Sequence, residues 1–359
     1  MGWLATLVLA CALPAAGEST APAPAVEVRG SVRGRLGVFS GVVGDDYSLE
    51  LRARPELFVY LRDGLAANLT VRGQRNWGAG EERLGSGVEL DRAYLDVSAG
   101  RWDLRLGRQA INFGQAQVWN PVDLVDSNTP LDFAIVKEGL DAVRAAYALS
   151  PTASVTALAA FAGGGTISLL RAETVLGGAE VGVLAARDAR ADDTVIGFDV
   201  KGDLGVGWWA EAAYHDLDEA DDFGRFVVGI DYSFPVRDQL YLALELYHDS
   251  SGGTGVADYD YASVEEGRRF LARRYASLIG RLAIDGLTAA SASSIFNLED
   301  DSYVVTAGLA RYFFENLEVT ARASLFRGSG PGEFNPVAGS PALGRQPTEV
   351  WELYAEWRF

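Results

Sequence analysis

Arginines recur through the first third of the chain, at Arg29, Arg33, Arg35, Arg52, Arg54, Arg72, Arg92 and Arg105. A guanidinium is a planar fork that grips a carboxylate or phosphate at two points. Set on one face of neighbouring segments, these side chains would form a basic wall able to draw in anions. Glu27, Glu50, Glu56, Asp96 and Asp103 share that stretch and would pair with some of them. Downstream, Asp199, Glu211, Asp231 and Glu245 would make a second, acidic wall. Two walls of opposite sign facing each other across water would set a transverse field that orders polar solutes and disfavours apolar ones. The plainer alternative is that these charges hydrate an interior and neutralise one another.

Other chemistry is sparse. The only histidines are His215 and His248, each followed by aspartate, Asp216 and Asp249. Two His-Asp pairs at similar height suggest a hydrolase or a metal site, but no nucleophile or third ligand accompanies them. No catalytic residue, no metal ligand set and no cofactor is therefore expected. The net charge of −18 argues against nucleic acid as a partner.

The elements that must position the charges have a period of two. In 239–247, Leu240, Leu242, Leu244 and Leu246 alternate with Tyr241, Ala243, Glu245 and Tyr247. In 317–325, Leu317, Val319, Ala321, Ala323 and Leu325 alternate with Glu318, Thr320, Arg322 and Ser324. Successive side chains of a strand point to opposite faces, so each segment has an apolar and a polar side. Mean hydropathy is only +0.05, and beyond the first residues no run approaches the ~20 apolar residues of a membrane helix.

Such segments number about eighteen, sixteen being the nearest alternative. They lie near 26–40, 47–61, 65–76, 87–99, 101–110, 139–149, 153–163, 166–176, 178–187, 194–203, 206–216, 224–234, 238–249, 273–284, 286–298, 302–313, 317–327 and 348–359. Alternation is poorest in 166–176 and 286–298. Connections after even-numbered segments are short. The long ones, near 77–86, 111–138, 250–272 and 328–347, all follow odd-numbered segments. A soluble sandwich, propeller or β-helix has no reason to keep that parity. A transmembrane, antiparallel, up-and-down all-β barrel must keep it, with short turns at one rim and longer loops at the other. The 41 glycines and the 38 aromatics (8 Trp, 14 Tyr, 16 Phe) suit tight turns and interfacial girdles.

The N-terminus reads as an export signal: residues 3–13 are apolar, and Ala15, Ala16 and Gly17 offer small residues for cleavage. Cys11, the only cysteine, falls inside this 1–17 leader. The segment 8–11 also resembles a lipoprotein processing site, although small residues running on to Gly17 favour ordinary cleavage. Residues 18–25 would be a periplasmic lead-in and 26–359 the barrel.

The chain closes on Trp351, Leu353, Ala355, Trp357 and Phe359, alternating with Glu352, Tyr354, Glu356 and Arg358. This resembles the C-terminal signal strand of outer-membrane proteins, with Trp357 and Phe359 as the residues read by the barrel-assembly machinery. Residues 104–114, with Gly107, Arg108, Gln109 and Gly114, precede Asn120, Pro121 and Asp123. That run, about thirty-five residues extended through Ala142, resembles proteobacterial porin-like families that include the alginate-export type. The resemblance implies an outer-membrane channel and names no substrate.

Residues 111–138 are the candidate for a loop folding inward to narrow a pore. Trp119 and Asn120 suit an ordered loop, and Asp123, Asp126 and Asp132 would meet the arginines. The expected function is passive passage of small polar solutes, anions foremost, by a barrel seated in outer-membrane lipid. Export of an anionic polymer and a non-conducting structural barrel are the alternatives, ahead of an outer-membrane hydrolase. Oligomeric state is not legible.

Overall fold

The computed structural model describes residues 25–41, 44–78, 85–124, 137–218, 221–261, 270–330, 332–335 and 347–359. It is a closed antiparallel barrel of eighteen strands: β1 (Ala25–Gly41), β2 (Gly44–Arg62), β3 (Leu65–Gly78), β4 (Gly87–Ala99), β5 (Trp102–Gln109), β6 (Leu140–Ser150), β7 (Ala153–Ala162), β8 (Gly165–Leu176), β9 (Ala179–Asp188), β10 (Asp193–Asp203), β11 (Gly207–Leu217), β12 (Phe223–Phe234), β13 (Gln239–Asp249), β14 (Arg274–Asp285), β15 (Thr288–Asn297), β16 (Tyr303–Phe313), β17 (Leu317–Arg327) and β18 (Pro347–Arg358). Each strand pairs with its sequence neighbours, and β1 also pairs with β18, so no edge is left open.

Alternation decides which face goes where. On β13, Ala243, Glu245 and Tyr247 are buried inside, while Leu244 and Leu246 stand on the outer surface. The same exposure marks Leu36 and Val38 on β1, Leu278 on β14 and Leu353 on β18. A continuous apolar belt of this kind is unstable in water and stable in hydrocarbon.

Tight turns join the strands at one rim. Gly177 and Gly178, at φ +60° and +87°, form the two-residue turn between β8 and β9, a backbone shape whose double positive φ favours glycine. The long connections follow β3, β5, β13 and β17, as the parity of the sequence requires.

The seam between β1 and β18 is closed at the chain terminus. Gly30 donates its N–H to the Phe359 carbonyl at 2.8 Å, and Phe359 donates back at 3.0 Å. A Cβ on Gly30 would meet the Phe359 ring at 2.7 Å, so the glycine makes room for it. The Trp357 and Phe359 rings pack with their centroids 5.0 Å apart, tilted by 31°.

β1 begins at Ala25, one residue inside the expected lead-in. The leader 1–17 with Cys11, and the acids Asp126 and Asp132, lie outside the described residues.

Candidate functional site

The interior is occupied on one side by the connection after β5. Residues 110–124 turn into the barrel and lie along the inner faces of β7 to β14. Glu211 accepts the backbone N–H groups of Gln115 and Ala116, the latter at 2.6 Å. Glu245 accepts those of Gln117 at 2.6 Å and Val118 at 2.9 Å, and the Trp209 indole N–H at 2.9 Å. Two carboxylates thus cap four consecutive amides, satisfying a loop backbone that would otherwise lie in the barrel without partners. Gly114 permits the turn: its φ is +90°, and a Cβ would meet Asn120 Oδ1 at 2.1 Å and Glu211 Oε1 at 2.7 Å.

Side chains complete the docking. Trp119 stacks on Tyr247 at 5.2 Å and 8°. Val122, fully buried, packs with Ile111 and Phe113 among Leu158, Ile167, Leu169, Leu184 and Val195. Asn120 donates to the Phe113 carbonyl at 2.5 Å and pins the loop to itself. Gln117 reaches Tyr241, whose hydroxyl donates to Asp231 at 3.0 Å.

This arrangement corrects the expectation of two facing walls. Asp199, Glu211 and Glu245 are about 1 % exposed or less, because the loop covers Glu211 and Glu245 and Arg171 engages Asp199 in two bonds of 2.6 and 2.9 Å. Glu211 and Glu245 are a mooring for the loop rather than an open surface, while Asp231 is only partly buried. Asp123 is buried and pairs with Lys137 at 2.6 Å.

The arginines stand on the other side. Arg33, Arg52, Arg54 and Arg72 line a recess of about 430 Å³ together with Arg322, Arg358, Tyr354, Glu318 and Glu356. Most have acidic partners: Arg52 with Glu50 at 3.2 Å, Arg54 with Asp91 at 2.8 Å and with Glu56, and Arg72 with Glu89 and Glu138 at 2.8 and 2.7 Å. Arg35 bonds Glu352, which Arg322 grips from β17 at 2.5 Å. Arg105 holds Asp96 at 2.6 and 2.9 Å and lies over Tyr94. Arg29, near the start of β1, is 59 % exposed beside Glu27. Arg92 has a buried Nε with no hydrogen-bond partner among the described residues.

Sequence reasoning missed Arg322, Tyr354 and Arg358 as members of this set, although Arg322 had been placed on a polar face. Only closure of the barrel brings β17 and β18 beside β1. Arg144 and Arg171 were missed too. Both border a recess under the loop lined by 109–115, Thr156 and Glu173.

The two histidines do not make a joint site. Neighbours along a strand face opposite ways, so His215 cannot use Asp216. It points inward to Asp193 at 2.6 Å and stacks on Phe223 at 4.3 Å. Asp249 points inward to Arg225 at 3.1 Å, away from His248. Among the described residues no group of three His, Cys, Asp or Glu side chains is arranged to hold a metal ion.

No protein-family model matches the chain, and no curated protein matches it. Solved structures do. OccK2 (OpdF) of Pseudomonas aeruginosa, solved in complex with glucuronate, aligns at 9 % identity and TM-score 0.62 over 93 % of this chain and 98 % of its own. The outer-membrane protein OprD of the same organism aligns at 6 % identity and TM-score 0.63, over 95 % of each chain. A third, the P. aeruginosa outer-membrane protein OpdK, aligns at 9 % identity and TM-score 0.62 over 93 % and 98 %. At these identities the likeness is one of fold, and the chain shares with these proteins a full-length β-barrel architecture.

Proposed function

We propose that this protein is an outer-membrane channel for small polar solutes, with anions preferred. The observation that carries the reading is the division of the interior. Loop 110–124 is moored on the acids of β11 and β13, and the arginine-rich recess of β1–β3, β17 and β18 is left to the solute path. Covering the acids removes much of the negative field, while the arginines remain within reach of a passing carboxylate or phosphate. The glucuronate bound by OccK2, a protein of the same fold, supports a negatively charged sugar acid as one solute class. In this reading the leader is cleaved on export, Trp357 and Phe359 present the last strand to the assembly machinery, and the barrel needs no cofactor and carries no catalytic role.

The test is ion selectivity in planar bilayers. An arginine charge ~8 Å from a passing anion in water contributes about 0.5 kcal/mol, or about a twofold change in relative permeability. Arg52→Ala and Arg105→Ala should each lower the anion-to-cation permeability ratio by about that factor. A ratio unmoved in both, with conductance intact, would remove the anion preference.

A further inference from the structure

The long loops carry a second cluster of ionisable groups that solute passage does not use. Glu333, on the β17–β18 connection, is buried. It accepts the Tyr275 hydroxyl at 2.5 Å, the Asn297 amide at 2.8 Å and the Leu271 N–H at 3.0 Å. The same Asn297 amide donates to Asp300 at 3.0 Å, and Asp300 also accepts the Tyr259 hydroxyl at 2.9 Å and the Glu333 N–H at 2.7 Å. Two carboxyl groups thus share one amide donor, and three connections, β13–β14, β15–β16 and β17–β18, meet on them.

The groups facing Glu333 are acidic or neutral. Asp300 comes from the β15–β16 turn, Tyr259 and Tyr261 from the β13–β14 connection, and Tyr275 from β14. The arginines beside the start of β14 are engaged elsewhere, Arg273 with the Gly252 carbonyl and Arg274 with Glu299. No Lys or Arg side chain bonds either carboxyl among the described residues, so a proton is the species that relieves their proximity. Phe334, next to Glu333, is buried in the cluster that holds Trp119 of the pore loop, and the Tyr275 ring touches Phe270, Trp119 and Phe334.

We propose that Glu333 is a proton-operated latch. Its neutral carboxyl holds the β17–β18 connection against the two neighbouring connections at the long-loop mouth of the barrel, and its ionisation lets that connection go. Burial, with Asp300 adding to it, pushes the Glu333 carboxyl up to about 7 from an ordinary 4.5. The latched form therefore binds the proton more tightly than a released, solvated carboxyl would. Its advantage is full below the ordinary value and is lost progressively as pH rises to about 7, a change of roughly three-hundredfold in the latching equilibrium.

The latch itself is read without reference to conductance, which keeps it separable from the channel reading. A spin label at Gly330→Cys, where a Cβ meets open space, is placed in the full chain with Cys11→Ala. In the otherwise native protein, the mobile fraction of the label should rise between about pH 4.5 and about pH 7 and level off above that. With Glu333→Gln, a neutral isostere, it should stay low at both ends. Tyr275→Phe, which removes one donor, should raise it already at the acid end. A flat profile in the native protein, or an unchanged one in Glu333→Gln, would overturn the latch.

Discussion

Glu245 is the single side chain on which the inward-folded loop 110–124 depends most. It receives two loop amides and one indole N–H, and it lies under the loop with negligible exposure. Glu245→Ala strands three buried donors at about 1–3 kcal/mol each. The loop should detach, and single-channel conductance should rise while the barrel stays folded. Bilayer recordings paired with heat-modifiable gel mobility check this, and an unchanged conductance would show that the loop holds without the carboxylate. Glu245→Gln, which keeps one acceptor oxygen, should fall between. Gly114→Ala acts from the other side of the same contact: at φ +90° its methyl collides with Asn120 and Glu211, so the loop should loosen without any loss of charge.

At the scale of strands, the seam between β1 and β18 is the closing step, and Gly30 against Phe359 is its tightest point. Gly30→Val overpacks it, and a loss of about 1–3 kcal/mol is expected in urea unfolding of the purified barrel. An unfolding midpoint equal to the native one would show that the terminal ring swings aside at no cost. The strands themselves were legible because their outer face is uniformly apolar. The two weakest readings, 166–176 and 286–298, are strands β8 and β15 whose inner faces carry buried Ile167, Leu169 and Ile295. Those residues are apolar because the pore loop and the long loops press on them from inside, and the alternation blurs for that reason. The partners of the charges were not legible. Arg322 with Glu352 is set by the β17–β18 register, Arg171 with Asp199 by a reach across Gly182 of β9, and Glu211 with Gln115 by a folded loop, and no local spacing encodes any of them.

Across the whole molecule, an apolar belt surrounds an interior of paired charges, and the net charge is −18. Such a body is soluble neither as a core-packed globule nor as a helix bundle. It should give a β-type circular dichroism spectrum in detergent and migrate differently on gels before and after boiling; a helical spectrum would contradict the fold. Legibility at this scale was high for the barrel and low for its contents, because the belt is written in every strand while the arrangement of the interior depends on one docked loop. The most direct test of the central claim is the current through purified, folded protein in a planar bilayer. A channel gives ohmic steps whose anion preference falls with Arg52→Ala. Folded barrels that leave the bilayer silent would contradict it.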